Sequence, residues 1–415
     1  MTRSGSTLLH YVSLDGAGGV ELQFADFVDR AATVEGTRSA VVACGRRVHP
    51  LVGARLPRDT AIVREKYAAG LKLPRWPAGL RRGLQYRHVR RFAPEAVVIW
   101  NRLRDSLNTL AAVGPERCVY WERGAAWFAD ETPAKRAFLA GVQAILCNSR
   151  AAQRMLELRW DYRGQACVVP NALRPAIAAH GASAPRPAPV PGAVWQLGVV
   201  ARLASIKGVA IAIHALAILR DHGHHARLAI AGDGPERSRL TALVTRLGLD
   251  EAVTFHGLVS DMGAFYHDID LLVHPALREP FGQIGLEAAA HGVPAVVAAV
   301  DGLVEVVEDG TTGLCLTPSE PITTYRQLAG GASDLPPLVY DPIDDTLAEP
   351  RAVAPDALAA AVARLLTDDA RYAAFSAAGL ARVARDFDFD RHVNRALTAI
   401  EGFTARGRLA WEETS

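Results

Sequence analysis

Short apolar runs, each bounded by turn residues, recur along the chain and alternate with longer helix-forming stretches. In the first half, Leu8 to Leu14, Ser39 to Ala43, Ala96 to Trp100, Cys118 to Trp121 and Ala144 to Cys147 read as strands. A helix is predicted from about Glu21 to Thr33, and helical material separates the later runs. Continuously apolar runs this short fit strands covered on both faces. A second series comprises Val194 to Val200, Arg227 to Ala231, Val253 to Phe255, Leu271 to His274 and Ala295 to Val300. Alternating β and α of this kind predicts an α/β fold with doubly wound parallel sheets. A chain of 415 residues is expected to hold two cores. Residues 182–192, ASAPRPAPVPG, have neither helical nor strand period and read as a stiff linker. They divide an N-terminal domain, 1–181, from a C-terminal domain, 193–385. Residues 318–355 are polar and proline-punctuated, long for a loop, and read as a surface insertion. The final stretch, 386–415, is expected to be a helix packing back on the first domain.

The run DLLVHPALREPFGQIGLEAAAHGVPAVVAAV, Asp270 to Val300, concentrates the candidate chemistry. It reads as strand, loop, helix and strand, with Pro280 and Gly282 opening the helix and Gly292 and Pro294 closing it. The amides of Phe281, Gly282, Gln283 and Ile284 would then be free at a helix N-terminus, which favours an anion. Glu279 and Glu287 frame that anion site with two acceptors for hydroxyl protons. Arg202 and Lys207 follow another strand end, in ARLASIKG, where two cations suit a diphosphate leaving group. Such strand ends are where ligands bind in open parallel sheets. His256, in FHG, also follows a strand and is a further candidate neighbour of the nucleotide. Gly16, Gly18 and Gly19 form a flexible turn after the first strand that would let a ligand approach the backbone. No acidic residue follows the second strand near Cys44, which argues against a dinucleotide-binding dehydrogenase.

Composition and charge then narrow the class. Half the residues are hydrophobic and 22% are charged, as in ordinary soluble enzymes, and the formal net charge is only +2. The five cysteines are scattered with no CxxC pair, which suits reduced, mostly buried thiols. With no apolar run of membrane-spanning length and a start too short for a signal peptide, a cytoplasmic location is expected. The small net charge hides Leu71 to Phe92, which carries seven Lys/Arg, no acid, and the aromatics Trp76, Tyr86 and Phe92. It reads as a surface for anionic lipid headgroups on the inner face of the cell membrane, against the alternative of a solvated helix face. No RNA-binding motif accompanies it, so nucleic acid is not expected as a partner. Asp386, Asp388 and Asp390, in DFDFD, fit a capped helix start better than a calcium loop, and no metal is expected. Asp233, in AGDGPE, fits a turn.

These motifs together resemble a retaining glycosyltransferase of family 4 with the two-domain GT-B fold. The resemblance rests on GAGGVE, CNSR, VVPNAL, GVVARLASIKG, AGDGPE, FHG, REPFGQIGLEAAAHGVP and EDGTTGL, which span nearly the whole chain. Glu279 and Glu287 reproduce the E-x7-E signature. The resemblance implies two Rossmann-like domains facing each other across a cleft, and transfer of a hexose from a UDP- or GDP-sugar to a growing glycan such as lipopolysaccharide or capsule, and the basic, aromatic stretch Leu71 to Phe92 points to a lipid-linked acceptor. It implies that Arg202 and Lys207 bind the donor diphosphate, Glu287 the ribose, and Glu279 the transferred sugar. Phe281 to Ile284 would support the phosphates and sugar, and Gly18 and Gly19 would close on the donor from the other domain. No cofactor or metal is implied. The sequence departs from the pattern in three places. YWERGAAW stands where many relatives carry a histidine, leaving Glu122 as the candidate proton acceptor and Arg123 as a cation that could orient a hydroxyl. Asp301 stands where a second glycine is common, and the insertion after Thr317 is atypical. A sugar-nucleotide epimerase and an inactive nucleotide-sugar-binding protein are the alternatives.

Overall fold

The computed structural model describes residues 6–409 except 35, 69, 75–77, 104–105 and 191. The chain forms two compact units, one of Met1–Pro170 with Phe389–Ser415 and one of Asn171–Asp388.

Seven parallel strands make the sheet of the first unit: β1 (Thr7–Val12), β2 (Arg38–Ala43), β3 (Ala61–Arg64), β4 (Ala96–Trp100), β5 (Cys118–Glu122), β6 (Ala144–Cys147) and β7 (Gln165–Val168). Their order is β3-β2-β1-β4-β5-β6-β7. Strands β4, β5 and β6 are buried at every position, and β4 and β6 are accordingly apolar on both faces. Helix α1 (Gly19–Ala31) lays Phe24 and Phe27 on this sheet. Their rings meet Trp100 edge-on, and Trp100 lies 4.4 Å from Trp121, its register partner across β4 and β5. Helix α2 (Ala78–Phe92) carries the basic stretch, of which residues 75–77, with Trp76, lie outside the described residues.

The second unit holds a six-stranded parallel sheet of β8 (Trp195–Val200), β9 (Ala226–Ala231), β10 (Val253–Gly257), β11 (Leu271–His274), β12 (Ala295–Ala298) and β13 (Gly313–Leu316). The order is β10-β9-β8-β11-β12-β13, so the chain reverses direction of winding beside β8. Helix α3 (Val209–Asp221) follows β8, and helix α4 (Gln283–Ala290) connects β11 to β12. The parallel-sheet strands absent from the sequence reading, β3, β7 and β13, are all sheet edges and half exposed, so they lack the apolar contrast that marks the central strands.

Three organisational points differ from expectation. The units divide at Pro170/Asn171 and not at 182–192. The segment expected as a linker instead runs along the second unit: the Ala182 amide donates to Ala290 O, the Arg186 amide to Ser376 Oγ, and the Arg186 guanidinium to Ile269 O. The insertion is not a bare loop, since it folds into α5 (Ile322–Ala329) and an antiparallel hairpin of β14 (Val339–Asp341) and β15 (Thr346–Ala348). Helix α6 (Phe389–Arg406) belongs to the first unit, where it packs against α1 and β4. All five cysteines are free thiols.

Candidate active site

The second unit's site is built where β8 and β11 end. Beyond β8 the chain makes a short 3-10 turn, Ser205–Lys207, closed by Gly208 at φ +65°. A Cβ at Gly208 would stand 1.9 Å from Pro275 O, so only glycine lets the two loops approach this closely. Ile206 O accepts the amides of Leu277 and Arg278 at 2.9 and 3.3 Å, which ties the loop after β11 to this turn. The Glu279 amide donates to Asp301 Oδ2 at 2.9 Å, and Gly302 N donates back to Glu279 O at 3.1 Å. The loop carrying Glu279 is therefore held from both sides.

Its carboxylate Oε2 takes an ion pair from Lys207 Nζ at 2.6 Å and a hydrogen bond from His274 Nε2 at 3.1 Å. Burial pushes the Glu279 carboxyl up, but Lys207, followed by His274, outweighs burial and holds it well below the usual carboxylate range. His274 is buried at the end of β11, and burial pushes its imidazole down, so the neutral ring donates Nε2–H to Glu279. Glu279 Oε1 accepts no hydrogen bond among the described residues. This leaves one ionised oxygen for a ligand hydroxyl.

Helix α4 begins beyond Gly282, whose φ of +107° turns the chain into the helix. The amides of Phe281, Gly282 and Ile284 have no partner among the described residues, and the Gln283 side chain donates to Ala172 O at 3.2 Å. One turn in, Glu287 is buried with both oxygens engaged: Oε1 by Arg174 Nη2 at 3.2 Å and Oε2 by Tyr266 OH at 3.1 Å. Burial, then the Glu287 charge, pushes the Tyr266 phenol up, so it stays a donor at all ordinary pH. The Tyr266 ring stacks on His291 with centroids 5.1 Å apart. Arg202 and Lys207 are not used alike. Lys207 is drawn in to Glu279, whereas Arg202 is exposed and makes no ion pair among the described residues. His256 is exposed at the end of β10, its ring 5.7 Å from that of Phe265. Asp233 Oδ1 accepts the Gly234 amide at 2.8 Å, a turn contact.

In the first unit, Gly18 caps α1 with φ −79°, and both Gly18 and Gly19 are exposed. A Cβ on Gly19 would meet no atom within 4 Å, so the fold itself does not demand glycine there. Glu122 closes β5. Its side chain is buried, with Oε2 accepting Tyr120 OH at 2.8 Å and Oε1 accepting the amides of Gly124 and Ala126 at 2.6 and 3.0 Å. Burial pushes its carboxyl up, and those donors oppose the shift. The side chain at the end of β5 turns inward to hold the following loop together. Arg123 is also buried, its guanidinium 5.1 Å from both the Trp100 and Trp121 rings, and burial pushes it down to about 9. It braces the aromatic core.

Residues 185–328 match the family model described as Glycosyl transferases group 1. The chain carries a glycosyl transferases group 1 domain. That domain contains Arg202, Lys207, His256, Glu279 and Glu287, while Arg174 precedes it. An uncharacterized glycosyltransferase from Methanocaldococcus jannaschii is 37% identical over 124 residues, covering 29% of this chain and 32% of that protein. The chain spans between about a third and a half of the length of the first curated relatives it matches. Among solved structures, a glycosyltransferase from Rickettsia africae aligns with TM-score 0.74 at 14% identity, over 97% of this chain and 100% of that one. Anabaena HepE in complex with UDP and glucose aligns with TM-score 0.65 at 18% identity, over 95% and 98%. These similarities establish the fold as α/β of the GT-B type, with two parallel-sheet Rossmann-like domains.

The residues around the group 1 domain's carboxylates include three that sequence reasoning did not single out. His274 had one signal, a histidine closing an otherwise apolar strand. Arg174 and Tyr266 had none, because each reaches Glu287 from a distant part of the chain.

Proposed function

We propose that the chain is a hexosyltransferase of the EC 2.4 class, taking a sugar from a UDP- or GDP-sugar with retention of configuration and without a bound metal. The observation that carries this is the Glu279 carboxylate: ionised by Lys207 and His274, open at Oε1, and one loop away from the unpartnered amides of Phe281, Gly282 and Ile284. In this reading the donor diphosphate lies on those amides with Arg202 and Lys207, and a sugar hydroxyl donates to Glu279 Oε1. Glu287, fixed by Arg174 and Tyr266, takes the ribose hydroxyls, and His256 lies toward the nucleotide. The bond from the anomeric carbon to the diphosphate oxygen breaks, an acceptor hydroxyl bonds to that carbon and releases its proton, and the negative charge gathers on the diphosphate. Preorganised cations and amides stabilise that charge. Gly18 and Gly19 contribute backbone that a ligand can approach closely. With Glu122 turned inward, the acceptor proton is expected to leave through the departing diphosphate rather than through that side chain.

The acceptor is proposed to be a growing glycan or glycolipid met at an anionic membrane surface, through the exposed arginines of α2. No helix among the described residues is long and apolar enough to cross a membrane, so attachment would be peripheral. The test is a panel of UDP- and GDP-sugars, scored by thermal shift and by release of nucleoside diphosphate, before and after exhaustive chelation. At least one sugar nucleotide should stabilise the protein and be turned over, with activity surviving chelation. Glu287→Ala should weaken donor binding by about a hundredfold, since two buried hydroxyl contacts are lost. Binding without turnover for any acceptor would move the protein to the inactive sugar-nucleotide binders.

A further inference from the structure

We propose that the 318–355 segment is a working part of the donor site, positioning Glu279 through Asp301 and the Lys207 turn through Ser205. This deepens the reading above and rests on Glu279 being the carboxylate that faces the sugar. The segment is closed at its base, where Glu320 and Ala352 exchange backbone hydrogen bonds of 2.8 Å each way. From there it reaches both loops of the site at separate points.

The first point is Ser205, buried at the start of the turn that carries Lys207. Its carbonyl accepts Tyr325 OH from α5 at 2.7 Å, and its hydroxyl oxygen accepts the Ser333 amide at 3.0 Å. The second point is Asp301, fully buried, with φ +48°. Its amide donates to Tyr340 O at 3.0 Å, and its Oδ1 accepts the Tyr340 amide at 2.8 Å. Its Oδ2 accepts the Glu279 amide at 2.9 Å. The Tyr340 hydroxyl in turn donates to Asp345 Oδ1 at 2.7 Å, fixing the hairpin turn. A buried carboxylate is costly, and a residue other than glycine at positive φ adds strain. One side chain bears both because it bridges two backbones: one face holds the hairpin, the other holds Glu279. Asp301 and the 318–355 segment thus form one device. Asp301 is a positioning residue, acting through Glu279.

The experiment compares the full-length protein with Asp301→Gly and Asp301→Asn. Glycine keeps the positive φ while removing both acceptors. Asparagine keeps one acceptor and points an NH2 group at the other amide. Hydrogen exchange followed by mass spectrometry should show segments 276–282 and 338–342 of Asp301→Gly exchanging together, about tenfold or more faster than in the wild type. Turnover of the sugar nucleotide should fall about tenfold or more, while affinity for the nucleoside diphosphate alone changes by less than about threefold. Asp301→Asn should fall between the two, and in a Glu279→Gln background Asp301→Gly should add little. Unchanged exchange over 276–282 overturns the proposal, and so does a parallel loss of nucleoside diphosphate and sugar nucleotide affinity, which marks a purely structural residue. If the wild type turns over no sugar nucleotide, the transferase reading fails separately. The exchange data then decide the link from Tyr340 to Glu279 by themselves.

Discussion

Among single residues, the buried histidines set the acid response. His10 sits among Phe24, Phe27 and Trp100, where its Nδ1 accepts Trp100 Nε1–H at 3.2 Å. His392 donates Nδ1–H to Pro170 O at 2.7 Å. Burial pushes both imidazoles down to about 3, and the Arg123 charge adds to the effect at His392. The unfolded chain takes up protons at these residues near pH 6.5 while the folded chain does not, so stability falls as pH drops from about 6.5 toward 3. Each histidine contributes up to about 1.4 kcal/mol per pH unit in that window. Urea unfolding at pH 7 and pH 5 should therefore show His392→Gln losing about 2 kcal/mol less than the wild type across the interval. Glu279 acts lower down. Its depressed pKa gives stability that is present above the ordinary Glu range and is lost as pH falls through the folded value. Tyr266 makes a different residue-scale prediction. Tyr266→Phe removes the donor to Glu287 Oε2 and should weaken nucleoside diphosphate affinity about tenfold by calorimetry. An unchanged affinity would separate Glu287 from the nucleotide.

At the scale of elements, α2 shows how folding sorts a charge run. Leu84, Gln85, His88 and Val89 form its buried face, at helical spacing. Arg82, Arg87, Arg90 and Arg91 are exposed, whereas Arg81 turns in to donate through Nε and Nη2 to Leu73 O. Vesicle flotation should distinguish the two groups. Neutralising the four exposed arginines should release the protein from anionic vesicles, at about 1 kcal/mol per charge. Arg81→Met should leave binding nearly unchanged. Equal loss from both, or none from either, would remove α2 as the membrane element. The same sorting explains which strands were legible. Central strands such as β4 and β6 announce themselves because both faces are covered, while edges such as β3, β7 and β13 are half wet and carry little contrast. The turn Ser205–Lys207 and the Glu279 loop were legible as motifs, but their mutual ties through Ile206 O were not.

For the whole molecule, the second unit is one continuous segment and the first is closed by the chain's far end. Phe389, Val393, Leu397, Ile400 and Phe403 of α6 are buried in that first unit. Burying large apolar side chains contributes about 1.5–3 kcal/mol each, so ending the chain after Asp388 should cost the first unit on the order of 10 kcal/mol. Calorimetry with limited proteolysis should find the first unit unfolded and the Asn171–Asp388 unit intact. An undisturbed first unit would mean that α6 is dispensable. The sequence by itself determined the alternation of strands and helices, the buried centres of both sheets, and the stretch holding Glu279 and Glu287, because these depend on local period and turn chemistry. Tertiary structure alone decided that Glu122 turns inward, that Lys207 and His274 converge on Glu279, and that Arg174 and Tyr266 hold Glu287. It also decided that Asp301 joins the insertion to the site. Each depends on which distant backbone arrives beside a side chain, and no local pattern in a single chain encodes that arrival.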